Sequence, residues 1–105
     1  MVAGAERLGR IDANLESILA ETQYLPELER TWDQLPDTVR VSWDLEWGEL
    51  MDRLEGLESD YRSGAMTSEQ RLAYRQLLRA LAAQLPVLKR LDLTLPAVSL
   101  DEQAA

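Results

Sequence analysis

The sequence predicts an all-α fold: a small antiparallel helical bundle of three main helices, with one or two short helices after Leu-Pro junctions. Three observations lead there. Apolar residues recur at steps of three and four through long stretches, as on the buried face of a helix. Thr67-Ser68-Glu69-Gln70 has the form of a capping box, in which a hydroxyl reaches forward to an orphan amide and a glutamine reaches back. The one alternating run, Val41, Trp43, Leu45 and Trp47 within RVSWDLEWGELM, finds no convincing second run to pair with, and an unpaired strand leaves its backbone groups unsatisfied. A chain of 105 residues has room for one modest core, so 1–96 is expected to form a single helical domain and 97–105 a loose tail.

The first helix is expected over about 5–24, because Leu8, Ile11, Leu15, Ile18, Thr22 and Leu25 lie on one face. Pro26 is expected to end or kink it, since the ring clashes with the preceding turn. A short helix over 26–35 then carries Leu28, Trp32 and Leu35, and closes at Leu35-Pro36. The second long helix is expected over 38–62, with Asp37 or Thr38 as N-cap. Its seam is Trp43, Trp47, Leu50, Leu54, Leu57 and Tyr61, six helical matches against four for the strand reading. Val41 and Leu45 fall roughly opposite that seam, together with Gly48, Gly56 and Ser59, so this helix is expected to be packed from two sides. The first helix or another subunit is expected to cover the second face.

Gly64 suits a left-handed C-cap. The third helix starts near residue 68 and turns Tyr74, Leu77, Leu78, Leu81, Leu85 and Leu88 inward. The short gap makes helices two and three an antiparallel hairpin, with Tyr61 and Tyr74 packed on each other beside the turn. LPELERTWDQLP (25–36) and LPVLKRLDLTLP (85–96) share both Leu-Pro ends, an internal Leu and an Arg, which is the pattern of a decayed duplication or of two helices that end alike.

With 46% hydrophobic and 29% charged residues, the composition is that of a soluble globular protein. The charge of −8 is segregated. Residues 27–60 hold eleven acids and three bases, whereas 62–90 hold six bases and one acid. Direct nucleic-acid binding is therefore not expected, since phosphate contacts rely on Lys and Arg. Arg71, Arg75 and Arg79, spaced by four, are expected to face Glu58, Glu55 and Asp52 across the hairpin. The same stripe is the candidate grip for phosphate or an acidic partner. The chain has no Cys, no signal-peptide pattern at its start and no apolar run long enough to span a bilayer, so a cytoplasmic location is the expectation.

Catalytic chemistry has little to draw on. Without His the usual general base and the commonest transition-metal ligand are missing. No glycine-rich phosphate loop is present, and the single Lys, Lys89, reads as a helix-end charge. Carboxylates remain: Glu46, Glu49, Asp52, Glu55 and Glu58 are each three apart. Glu46-Trp-Gly-Glu49 and Glu55-Gly-Leu-Glu58 loosely resemble the first half of the Mg²⁺ site in all-α nucleotide pyrophosphohydrolases of the MazG type, but the third helix has only Glu69 and lacks the second half. Five carboxylates at this spacing wind around the helix and do not converge on one site.

LEGLESDYRSGAMTSEQRLAYRQLL (54–78) resembles the short helical hairpins called SHOCT domains, through its paired leucines, Gly-x-Met-Thr-x-x-Gln turn and following Leu-Leu. The resemblance covers about a quarter of the chain and implies an interaction or oligomerisation role.

The expected function is thus a small non-enzymatic module, without cofactor or metal, that binds another protein or a second copy of itself. The candidate partner-binding residues are Trp43, Trp47, Val41, Leu45 and Gly48 on the second helix, and Arg71, Arg75 and Arg79 on the third. Two alternatives follow from the acids: an acidic regulator, antitoxin-like or nucleic-acid-mimicking, that binds a basic partner, and a carboxylate–Mg²⁺ nucleotide hydrolase.

Overall fold

The computed structural model describes residues 2–100. Among them are four α-helices, α1 (Val2–Thr31), α2 (Asp37–Ser63), α3 (Ser68–Ala83) and α4 (Leu85–Leu91), with a 3-10 turn at Trp32–Gln34 and no strand. The all-α expectation holds, and 40–51 is helical throughout.

Side-chain contacts fix the directions. Arg7 Nη2 meets Asp60 Oδ1 at 3.0 Å, and Tyr24 stacks on Trp43 toward the other end, so α2 runs antiparallel to α1. Gln70 Nε2 donates to the Leu8 carbonyl at 3.1 Å and to Asp12 Oδ1 at 2.8 Å, while Arg90 in α4 reaches Glu29 and Asp33. The α3–α4 arm therefore runs alongside α1 and antiparallel to α2. The molecule measures 48 × 32 × 19 Å. A thirty-residue helix is about 45 Å long and each helix about 10 Å wide, so α1 sets the length and two helix layers set the thickness.

The core follows the helical seams. Ile11, Ile18, Leu25 and Leu28 of α1 meet Trp47, Met51, Leu54 and Leu57 of α2, with Tyr74, Leu77, Leu78 and Leu81 of α3 and Leu88 of α4. The stripe on α2 is rotated slightly from the expected one. Met51 is buried, whereas Trp43, Leu50 and Tyr61 lie half-buried at its edges.

Pro26 does not end the first helix. α1 runs through it to Thr31, and no separate helix occupies 26–35. Proline in a helix interior costs about 3 kcal/mol, by removing one amide donor and crowding the carbonyl four residues back. Here that carbonyl belongs to Thr22, and burial on both sides outweighs the loss. Leu25, Leu28 and Trp32 are nearly or fully buried, each contributing about 1.5–3 kcal/mol. The two Leu-Pro segments accordingly diverge: 25–31 continues a long helix into the 3-10 turn, while 85–91 is a new short helix, α4, followed by irregular chain.

Helix α2 begins at Asp37 with Pro36 as the N-cap, one residue ahead of the expected caps. It ends at Gly64, whose φ of +80° is the expected left-handed C-cap. The capping box forms as read: the Thr67 hydroxyl accepts from the Gln70 amide at 3.1 Å, and Gln70 Oε1 accepts from the Thr67 amide at 3.0 Å. Helix α3 stops at Ala83, so Leu85 starts α4 half-buried and is not an inward residue of α3.

Asp92 closes α4 in the left-handed region, with φ of 59°. The chain then turns back along α2 without regular secondary structure. Leu93 is buried, and Val98 and Leu100 lean on the core. Of the expected 97–105 tail, residues 101–105 lie outside the described residues.

Candidate functional site

The amino-terminal half of α2 collects most of the candidate residues, and its two flanks differ. On the inner flank Trp47 is fully buried, and its indole N–H donates to the Thr94 carbonyl at 2.8 Å. That bond satisfies the one polar atom of the ring. Trp43, one turn earlier, sits at the edge. It stacks on Tyr24 of α1 with ring centroids 5.8 Å apart and planes only 8° from parallel.

The outer flank was expected to be covered by a second packing surface. It is covered over only part of its length, and by this chain's own returning segment. A Cβ at Gly48 would stand 3.9 Å from the Thr94 hydroxyl, and 97–99 lie beside Glu55, Ser59 and Arg62. Beyond that cover Val41 is 58% exposed and Leu45 69%. Neither α1 nor α3 packs on them. They stand one helical turn apart, and Leu95, 44% exposed, follows the Thr94 that caps Trp47.

The arginine stripe is split. Arg71 lies over the Tyr61 ring, 4.3 Å from its centroid, and donates to the Tyr61 carbonyl at 3.1 Å. Arg75 Nη1 donates to the Tyr61 hydroxyl at 3.3 Å. Arg79 is exposed and makes no hydrogen bond or ion pair among the described residues. The expected pairing with Glu58, Glu55 and Asp52 is absent there. Glu58 is occupied by Arg62 on its own helix and by the Tyr74 hydroxyl, which donates to it at 2.5 Å. The rotation of α3 that buries Tyr74 brings its arginines over Tyr61 instead, and Tyr61 and Tyr74 pack as expected, 5.0 Å between centroids. Burial, reinforced by the Glu58 hydrogen bond and charge, pushes the Tyr74 phenol far above its ordinary 10.0.

The carboxylates of α2 stay apart. Among the described residues no group of three or more acidic side chains is placed to hold a metal ion. Asp44, Glu46, Asp52 and Glu55 are exposed and make no ion pair there, while Glu49 meets Arg53 at 3.6 Å. No described helix is long and apolar enough to cross a membrane.

Two contributors were not anticipated. Tyr24 lies off the apolar seam of α1, and nothing in its spacing marks it as the ring that holds Trp43. The returning segment left little signal: of the alternating Leu91, Leu93 and Leu95, the first closes α4 and the last is exposed, which leaves Leu93 alone as a buried residue of the return.

No protein family, no curated protein and no solved structure matches the chain. The likeness of 54–78 to SHOCT hairpins thus rests on the capped helical hairpin alone.

Proposed function

We propose that this chain is a small non-enzymatic interaction module that associates through the outer flank of α2, with a second copy as its first partner and another protein as the alternative. The observation that carries this reading is the wet pair Val41 and Leu45, one turn apart on the outer flank of α2. Covering exposed aliphatic area is the dominant favourable term in association. Each copy carries a net charge of −8, so pairing through this acidic helix works against like charge and should strengthen as salt screens it.

Sedimentation velocity from micromolar to millimolar protein tests it. Mass should rise above the 11.9 kDa monomer with concentration, and Leu45→Glu should hold it at the monomer. A monomer at every concentration would count against self-association. The reading as an acidic regulator rests on the unpaired carboxylates of α2, and predicts capture of a basic protein that weakens steeply with salt.

A further inference from the structure

Between α1 and α2 lies an open groove of about 550 Å³. That volume falls within the range of about 300–1,000 Å³ usual for ligand pockets. Trp43, Trp47 and Leu50 form its apolar side; Glu21 from α1 and Glu46 and Glu49 from α2 add carboxylates. Glu21 and Glu46 make no hydrogen bond or ion pair among the described residues, and the one cation present, Arg53, is shared with Glu49. Trp47 is buried, so Trp43 is the half-exposed ring here, already positioned by its stack on Tyr24.

We infer that this groove receives an arginine side chain from a segment of another protein. Its two kinds of lining ask for one group. A guanidinium is planar, stacks on an indole, and presents a fork of N–H donors to carboxylates, while its aliphatic stem covers apolar surface. Lysine offers a point charge without the stacking plane, and an anion meets a net negative wall. Carboxylates from two helices give the incoming group a partner on either side. The inference does not depend on self-association, because neither Val41 nor Leu45 lines the groove.

The test uses the full chain and a short acetylated peptide with a central arginine, read by the indole N–H signals of Trp43 and Trp47 in nuclear magnetic resonance. Saturable shifts at these two signals are expected. Citrulline in place of the arginine, which keeps the shape and removes the charge, should weaken binding by about tenfold or more. Glu21→Gln with Glu46→Gln should weaken it similarly without altering the melting curve, since neither side chain is bonded. Trp43→Leu should weaken it with both carboxylates in place. Val41→Ser/Leu45→Ser, which removes the aliphatic pair without adding charge one turn from Glu49, should bind the peptide as the parent does. The proposal is overturned by absence of saturable shifts at millimolar peptide, by equal binding of the citrulline peptide, or by unchanged binding in the double glutamine variant. Shifts with spermidine but not with the peptide would also overturn it, assigning the groove to a free polyamine.

Discussion

Tyr74 shows how one polar atom is accommodated in this core. The residue is fully buried, and its hydroxyl donates to Glu58. Tyr74→Phe keeps the ring and removes that bond, and should cost about 1–2 kcal/mol in denaturant unfolding. The phenol also couples stability to pH. Its pKa is raised in the folded state, so the unfolded chain releases the proton first as pH climbs. The associated stability is intact below the ordinary value of 10.0 and declines above it, and Tyr74→Phe should flatten that decline. Gly64, at φ +80°, makes a second prediction: Gly64→Ala should cost about 1 kcal/mol, because a Cβ is strained in the left-handed region whatever space surrounds it. Features of this kind were legible where the cause is local. The Thr67–Gln70 box and the Gly64 cap follow from residues within one turn. The partners of Arg71 and Arg75 were not legible, because they depend on how α3 is rotated against α2, which spacing within α3 does not specify.

At the scale of elements, Pro26 is the informative case. Local propensity stops the first helix there, yet α1 continues, since Leu25 and Leu28 lie on the buried stripe that also carries Ile11 and Ile18. Pro26 itself is exposed, so replacing it loses no packing. Pro26→Ala should therefore stabilise the protein, by about 1–3 kcal/mol, through a restored amide donor to the Thr22 carbonyl. A lower midpoint in denaturant for this variant would mean that the ring is needed where it stands. The expected span of the second helix, 38–62, lies within one residue of Asp37–Ser63 at each end, because a long seam and a glycine cap agree with each other. The irregular return of 92–100 was harder to read. Its alternation is only three leucines long, and the first of these, Leu91, belongs to α4.

At the scale of the whole molecule, the fold buries one flank of α2 against α1 and the α3–α4 arm, and leaves the other to the returning segment, which does not reach Val41 and Leu45. The sequence marked that flank as apolar without showing what lies over it. Both residues being exposed, Val41→Glu with Leu45→Glu should shift the stability of the dilute protein by no more than about 0.5 kcal/mol. The same change should abolish any concentration dependence of the melting temperature. The most direct test is methyl-resolved nuclear magnetic resonance with a soluble paramagnet, which broadens only wet methyl groups. In dilute protein the Val41 and Leu45 methyls should broaden while those of Ile18 and Leu54 stay sharp, and in concentrated protein the first pair should become protected too. Methyls of Val41 and Leu45 that remain equally accessible at every concentration would contradict self-association through this flank.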